Sequence, residues 1–199
     1  MMKKFNFTLC MESSKINIEN QIYCERKKKM IREATEKDLI DMLEIYNDAI
    51  LNTTAVYTYK PQTLESRQVW YNQKLEEGYP ILVCEQDDKV VGFATFGPFR
   101  PWPAYKYTIE HSVYVHKDYR NQRIATKLMQ ELIKIANERE YATLVAGIDA
   151  ANEGSIKMHE RMGFECSGVI KKAGFKFDKW LDLAFYQLDL KGPKVPSEE

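Results

Sequence analysis

Hydrophobic residues recur at two different spacings along the chain, and the change of spacing separates helical from strand-forming segments. Between residues 30 and 78 apolar positions return every three or four residues, as they do on one face of a helix. Thr35 and Asp38 form a helix-start box before the first such segment. A second helix is predicted to begin after Thr63 and to end at Gly78, because Pro80 prevents its continuation.

After Pro80 the pattern becomes that of short strands rich in β-branched and aromatic residues. Residues 81–85 and 90–96 flank a polar turn at 87–89 and predict a hairpin. Residues 105–115 predict a third, longer strand. The first half of the chain therefore supplies two helices and three strands.

The second half alternates between helix and strand. Apolar residues at 124, 128, 132 and 135 predict an amphipathic helix, and residues 142–148 predict a buried strand. Asn152 can cap another helix that Gly163 closes, and residues 164–190 hold at least two strands, the last at 182–190. The order α-α-β-β-β-α-β-α-β-β predicts the α/β class, mixed α+β, with helices on both faces of a mixed sheet.

Composition narrows the class of protein. The 199 residues are 44% apolar and 12% aromatic, which predicts one folded domain and excludes disorder throughout. No run approaches the roughly 18 apolar residues of a membrane-spanning helix, so no integral membrane protein is expected. The 29 basic and 29 acidic residues balance, which makes nucleic acid a poor default partner.

The N-terminal residues differ from the rest. Residues 1–29 hold seven basic and three acidic side chains without a sustained apolar period, and they predict a disordered extension or appendage before a domain at 30–190 and a tail at 191–199. The four cysteines are widely spaced with no CxxC pair, so neither a metal site nor a disulfide framework is expected. A reducing cytoplasm is the expected compartment.

A polar, basic loop precedes the helix that starts near Ile124. Free amides and the helix dipole at such an N-terminus favour a phosphate group, to which Arg120 and Arg123 would add charge. Basic residues before a helix are also common on plain surfaces. The loop by itself is therefore only a candidate phosphate site.

Glu110 lies within a predicted strand. Alternation places it on one face with Ser112 and Tyr114, while His111 and Val113 take the other. Burial would raise the pKa of this carboxyl and suit it to act as a general base. The alternative is a solvated face on which Glu110 pairs with a lysine.

The helix that follows Asn152 carries polar groups on one face. Asn152, Ser155 and His159 fall at helical spacing, so this face could line a ligand groove. His159 has the intrinsic pKa for proton transfer near neutrality. A lone histidine on a helix is nevertheless more often structural than catalytic.

These features together resemble the GCN5-related N-acetyltransferases, whose phosphate loop reads Q/R-x-x-G-x-G/A. The resemblance spans residues 30–190 and is strongest with the phosphinothricin and methionine sulfone or sulfoximine N-acetyltransferases. It is carried by Phe99-Arg100-Pro101, by the segment TIEHSVYV at 108–115, by Met158-His159-Glu160 and by Gly174-Phe175-Lys176. It implies a mostly antiparallel mixed sheet of six to seven strands.

The resemblance also implies which residues bind acetyl-CoA and which act in catalysis. The cofactor would lie where the strand at 105–115 splays from that at 142–148, held by Val113, Tyr114, Val115, Arg120, Asn121, Gln122, Arg123, Ile124, Ala125, Thr126 and Asn152. Glu110 would remove the ammonium proton, and a backbone N–H near Val113 would stabilise the developing oxyanion. His159, where many relatives place a tyrosine, would protonate the departing thiolate or assist Glu110.

A polar amino acid substrate needs a cation for its anionic end, and Arg100 is the candidate because guanidinium binds carboxylate or sulfonyl oxygens in a fork. Pro101, Trp102, Glu110, His111 and Ser112 would complete the implied substrate site. Arg100 could instead be a surface arginine. The implied partners are a small amino acid-like molecule and a second copy of the chain in a homodimer, with no metal.

One departure from the family and two alternative functions keep the prediction open. Arg123 replaces the first loop glycine of the family, and it can still serve if its backbone torsions are ordinary and its side chain lies outward or along a phosphate; otherwise weaker cofactor binding is expected. The alternatives to amino acid acetylation are acetylation of a protein N-terminus or lysine, and a non-catalytic acyl-CoA-binding module.

Overall fold

The computed structural model describes residues 29–198. The helices are α1 (Leu39–Asn52), α2 (Leu64–Glu76), α3 (Ile124–Glu138) and α4 (Glu153–Glu160), and the strands are β1 (Met30–Glu33), β2 (Ile81–Gln86), β3 (Lys89–Pro98), β4 (Thr108–Val115), β5 (Thr143–Asp149), β6 (Glu165–Lys176) and β7 (Lys179–Asp189). The predicted order of elements is confirmed, with β1 as an addition. Four residues are too few to show an alternating pattern, which is why the sequence did not indicate this strand.

The seven strands form one sheet in the order β1-β2-β3-β4-β5-β7-β6. All neighbours are antiparallel except β4 and β5. The β2–β3 hairpin turns through Asp87 and Asp88, and the β6–β7 hairpin through Phe177 and Asp178, all four with positive φ. Two consecutive left-handed residues match the twist of the strands they connect.

Helices cover both faces of this sheet, as predicted. On one face α1 and α2 bury Leu39, Met42 and Tyr71 against Phe93 of β3. On the other face α3 buries a longer apolar stripe against β2, β3 and β4, formed by Ile124, Leu128, Met129 and Leu132. Because β3 lies between two cores, residues 90–97 are buried without interruption.

Two predicted strand boundaries are corrected. The third strand begins at Thr108 and not at residue 105, because residues 103–105 form a 3-10 turn that starts with a proline. The last strand begins at Lys179, and its buried residues are Leu181, Ala184 and Tyr186. The irregular pairing of β6 with β7 changes which face is buried along this hairpin, and no period-2 pattern shows that.

The chain outside the predicted domain is described only in part. Residues 1–28, which hold most of the predicted N-terminal extension, lie outside the described residues. At the other end, Leu190 and Gly192 donate backbone hydrogen bonds to Ala142 and Tyr141. Within residues 29–198 no helix has both the length and the hydropathy that a bilayer crossing requires.

Strands β4 and β5 separate soon after they meet. Their parallel pairing joins only Thr108 with Thr143, Ile109 with Leu144, and Glu110 with Val145. Beyond Glu110 strand β4 continues to Val115 in pairing with β3 alone, whereas β5 continues to Asp149 against β7. The sheet is therefore split into a V-shaped opening whose apex is at Glu110.

Candidate active site

A cleft of about 520 Å³ occupies the opening between β4 and β5. Its walls come from the free edge of β4, the N-terminus of α3 and the N-terminus of α4, with Val113, Tyr114, Val115, Asn121, Arg123, Ile124, Ala125, Thr126 and Asn152 among the lining residues. Among the described strands none pairs with the edge of β4 that faces the cleft beyond Glu110. That edge can therefore offer backbone hydrogen bonds to an extended ligand.

The N-terminus of α3 provides the anion-binding part of this cleft. Its N-cap residue is Arg123, whose side chain makes no capping hydrogen bond to the first turn. Asn121 and Arg123 have φ of 61° and 60°, so the backbone turns twice through the left-handed region just before the helix. Uncapped amides at the positive end of a helix dipole favour a phosphate group.

Arg123 adopts backbone torsions that a glycine takes without strain. Its φ of 60° and ψ of 19° lie in the left-handed region, which costs a residue with a Cβ about 1–2 kcal/mol. The condition that its torsions be ordinary is therefore not met. The loop therefore makes its left-handed turn at an arginine, at the expense of local backbone strain.

Neighbouring loop side chains are held by other parts of the protein. Arg120 donates to Asp48 of α1 at 3.1 Å, and Lys29 donates to the Gln122 Oε1 atom at 2.8 Å. Asn152 caps α4, since its Oδ1 accepts from the Ser155 amide at 3.1 Å. The cleft is thus bordered by polar groups whose positions are fixed before any ligand binds.

A second, smaller cavity of about 230 Å³ contains the carboxyl group predicted to act as a base. Glu110 and Ser112 line it from β4, as the strand alternation predicted, and Tyr114 lines both this cavity and the cleft. Gly147 of β5 leaves the space that the carboxyl needs, because a Cβ there would stand 3.0 Å from Glu110 Oε1. Burial raises the pKa of Glu110, and the charge of Arg100 lowers it by a smaller amount.

The predicted substrate residues divide between two places. Residues 100–102 line a neighbouring surface cavity of about 290 Å³, to which Glu110 and Ser112 do not contribute. Arg100 is exposed, stacks on Phe99 with its Cζ 4.0 Å from the ring centroid, and donates to the Phe99 carbonyl at 2.7 Å. Trp102 is 68% exposed.

His111 and His159 form a buried pair outside both the cleft and the Glu110 cavity. Their Nε2 atoms are 3.1 Å apart, and Nδ1 of His159 is 2.8 Å from the Ser155 carbonyl oxygen. Because that carbonyl can only accept, His159 carries its proton on Nδ1, and His111 donates from Nε2 to His159. The unprotonated Nδ1 of His111 is left without a partner among the described residues.

This arrangement bears on the two predicted histidine roles. Burial and the neighbouring His159 ring hold the pKa of His111 down at about 3, and burial lowers that of His159. Both rings are therefore neutral near pH 7. The structure does not bring His159 to the cleft, and both histidines are buried against Phe164 of the core.

The Glu110 cavity also contains two cations that no sequence motif indicated. Arg67 and Lys74 of α2 both line it, together with Trp70. The three residues follow the i, i+3, i+7 spacing of one helix face, which is the signal that could have shown them. Arginine and lysine are usually exposed to solvent, so their presence did not mark this helix face as the wall of a cavity.

Comparison with known proteins agrees with this geometry. The model of the Acetyltransferase (GNAT) family matches residues 41–164. The L-methionine sulfoximine/L-methionine sulfone acetyltransferase of Pseudomonas paraeruginosa is 44% identical over 161 residues, covering 80% of this chain and 94% of that protein. The chain therefore belongs to the GNAT family of acetyltransferases.

Solved structures extend the comparison to the fold and the cofactor. An N-acetyltransferase from Staphylococcus aureus Mu50 is 57% identical with a TM-score of 0.82, covering 82% of this chain and 99% of the other. A GNAT superfamily phosphinothricin acetyltransferase from Sinorhizobium meliloti, in complex with acetyl-CoA, is 31% identical with a TM-score of 0.81, covering 84% and 92%. TM-scores of this size show that both share the fold of this chain.

Proposed function

We propose that this acetyl-CoA-dependent N-acetyltransferase acts on the α-amino group of a small amino acid analogue of the methionine sulfone, methionine sulfoximine or phosphinothricin type. The observation that carries the proposal is the position of Glu110. Its carboxyl lies in a small cavity at the apex of the opened sheet, beside a cleft large enough for an extended cofactor. Relatives that carry these substrate names support the substrate class.

The cleft residues fit the chemical parts of acetyl-CoA. The amides at residues 121–126 suit the diphosphate, and the free edge of β4 at 113–115 together with Asn152 suits the amide-containing arm. When bound, acetyl-CoA supplies an acetyl group activated as a thioester. Arg120 and Arg123 would add positive charge beside the diphosphate.

Glu110 is the proposed general base. A substrate ammonium group loses a proton to the Glu110 carboxylate, so that an N–H bond breaks, an O–H bond forms, and the amine keeps the electron pair with which it attacks. A carboxyl with a raised pKa is a stronger base than one in water. Ser112 lies on the same face two residues along and can hydrogen-bond the amino group.

The small cavity also argues for small substrates. A volume of about 230 Å³ suits one amino acid side chain and its backbone atoms, whereas a peptide would need an extended groove. We keep Arg100, Pro101 and Trp102 as the proposed outer part of the substrate site. No direct proton transfer by His159 forms part of the proposal, because both of its nitrogens are engaged inside the protein.

We further propose that the enzyme is a cytoplasmic homodimer joined through strand β6. This strand is at the edge of the sheet, and 10 of its 12 residues are exposed. Val169 and Ile170 are 43% and 52% exposed, and an uncovered edge strand with apolar residues favours pairing. In the described part of the chain Cys84 and Cys166 are both free thiols, as expected in a reducing compartment.

The test of the proposed function is acetyl-CoA turnover on a defined panel. L-methionine sulfone, L-methionine sulfoximine and phosphinothricin are compared with peptides that offer a free N-terminus or a lysine. We expect turnover of at least one of the amino acids and none of the peptides. Turnover of peptides alone would reject the amino acid site, and binding of acetyl-CoA without turnover of any amine would indicate a non-catalytic module.

A further inference from the structure

Arg67 is a charged residue buried beside the proposed substrate. It is 2% exposed, and its Cζ lies 4.1 Å from the ring centroid of Tyr46 and 4.6 Å from that of Trp70. Its Nε and Nη2 atoms have no hydrogen-bond partner in the described part of the chain. Two aromatic rings therefore flank the guanidinium, while two of its donor nitrogens remain available.

Such an arrangement is costly unless it serves a ligand. A guanidinium stays protonated at any pH that a protein tolerates, and a buried charge without a partner costs several kcal/mol. No Asp or Glu of residues 29–198 forms an ion pair with Arg67. Tyr46 and Trp70 stabilise the cation only in part, because the Tyr46 hydroxyl hydrogen-bonds the guanidinium once and neither ring accepts the N–H groups of Nε and Nη2.

The cavity has positive charge on its α2 side and negative charge on its β4 side. Lys74 also lines it, and its Nζ donates to the Phe96 carbonyl at 2.8 Å. Gly97 leaves room for that ammonium group, since a Cβ there would collide with Nζ. Glu110 is the one carboxylate among the described lining residues. The cavity thus holds two cations from α2 and one carboxylate from β4.

A zwitterionic amino acid matches this distribution of charge. Its ammonium group is attracted by Glu110, and its carboxylate, one carbon away, is attracted by the cations of α2. A carboxylate also fits the planar edge of a guanidinium with two parallel hydrogen bonds. A neutral sulfone could accept the same hydrogen bonds but would leave the buried charge of Arg67 uncompensated.

We propose that Arg67 binds the α-carboxylate of the acceptor amino acid and thereby directs its amino group toward Glu110. The inference rests on the proposed function, which it makes more specific. It separates the roles of two arginines: Arg67 anchors the carboxylate inside the cavity, and the exposed Arg100 remains for the polar end of the substrate side chain. It also predicts selectivity for free amino acids, since a peptide-linked residue has no carboxylate at that position.

The test pairs a change in the protein with a change in the substrate. The variants are Arg67→Met and Arg67→Lys, with Arg139→Met as the matched control, because Arg139 is an exposed arginine at the end of α3 outside both cavities. Each protein is assayed with L-methionine sulfone and with its carboxamide, which keeps the amine and the sulfone but has no negative charge.

The wild-type protein and Arg139→Met should prefer the acid over the carboxamide by about 10²-fold or more in kcat/KM. The reason is that the bound carboxamide leaves the buried guanidinium of Arg67 without an anionic partner. Arg67→Met should lose most of this preference, chiefly through a higher KM for the acid. Arg67→Lys should fall between them, since an ammonium keeps the charge and loses the fork. An unchanged preference in Arg67→Met would overturn the proposal.

Two further readouts separate the possible failures. Calorimetric affinity for acetyl-CoA should be unchanged in Arg67→Met, which shows that the cleft is intact. If Arg67→Met does not fold, Arg67→Lys decides, and an acid preference equal to that of the wild type overturns the proposal. If the wild type acetylates no amino acid, the proposed function fails and this inference with it, whereas turnover with a retained preference removes only the role of Arg67.

Discussion

Arg123 carries a backbone conformation that glycine adopts without strain. The loop needs a positive φ at this position to direct the amides of α3 into the cleft, and the side chain contributes nothing to capping the helix. The strain therefore arises because position 123 is an arginine, and a glycine in the same loop conformation would not have it. A single substitution at this position can test that.

We expect Arg123→Gly to raise the free energy of unfolding by up to about 1 kcal/mol. Relief of the left-handed torsion contributes about 1–2 kcal/mol, and the greater entropy of glycine in the unfolded chain offsets part of that gain. Urea unfolding measures the difference.

The matched control for this change is Gln122→Gly in the same loop. Gln122 is absent from the positive-φ residues, so glycine there relieves no strain and should lower stability. A loss of stability in Arg123→Gly equal to that in Gln122→Gly would show that the torsion at 123 costs nothing. Calorimetry with acetyl-CoA on the same two proteins shows whether the Arg123 side chain assists binding.

Single residues also show where sequence reasoning succeeded and failed. Glu110 could be placed on the correct face because strand alternation depends only on local geometry. His159 could not be placed, because whether a helix face meets a ligand or the core depends on tertiary packing. Its partner His111 is 48 positions away along the chain, so no local pattern could indicate that the two rings stack.

At the scale of elements, the end of α1 depends on a lysine from a distant hairpin. Lys176 of β6 is 5% exposed, and its Nζ donates to the carbonyl oxygens of Ile50, Thr53 and Val56. These carbonyls end α1 and begin the segment beside the cleft, so they have few alternative partners. One ammonium group thus fixes the end of a helix to the sheet.

We expect Lys176→Met to lower the free energy of unfolding by about 2–4 kcal/mol, because it leaves buried carbonyl groups without donors. Lys179→Met, an exposed change on the neighbouring strand, should alter it by less than about 0.5 kcal/mol. Thermal and urea unfolding of the two variants measure the difference. Equal stability of the two proteins would show that the three hydrogen bonds contribute nothing.

The stacked histidines link β4 to α4 and make this contact sensitive to acid. His111 is protonated near pH 6.5 in the unfolded chain but only at about pH 3 in the folded one. Between these values the unfolded chain binds more protons, so stability falls as pH decreases, by about 1.4 kcal/mol per pH unit well inside that window. Above pH 6.5 this contribution is fully present.

We expect His111→Gln to flatten that dependence, because glutamine can donate to His159 but does not titrate. The measurement is urea unfolding of both proteins at pH 7.0, 6.0 and 5.5, compared by slope, since the substitution can also change stability at neutral pH. Equal slopes in the two proteins would mean that His111 takes up its proton in the folded state as easily as in the unfolded one.

At the scale of the whole molecule, the order of elements could be predicted because each helix and most strands carry their own periodic pattern and cap. Thr63 and Asn152 cap α2 and α4 as expected. The parallel pairing of β4 with β5, and its end after Glu110, have no local signature. The resemblance to a family implied that opening, and the residues alone did not.

The edge strand β6 gives the prediction that belongs to the whole molecule. We expect Ile170→Lys to convert the proposed homodimer into a monomer, because it places a charge on an exposed apolar edge. Light scattering after size-exclusion chromatography measures the mass, and Gln130→Lys, at an exposed position of α3, controls for the added charge and should leave the mass unchanged. A wild-type mass equal to that of one chain would reject the dimer.

The central claim is that Glu110 removes the proton from an amino acid held beside the acetyl-CoA cleft. Its most direct test is the pH dependence of kcat/KM for L-methionine sulfone in the wild type and in Glu110→Gln, with the exposed Glu131→Gln as control. We expect kcat/KM of the wild type and the control to increase as pH rises through the raised pKa of Glu110. In Glu110→Gln, kcat/KM should fall by about 10²-fold or more, and its increase with pH should disappear. An unchanged rate and pH profile in Glu110→Gln would contradict the account.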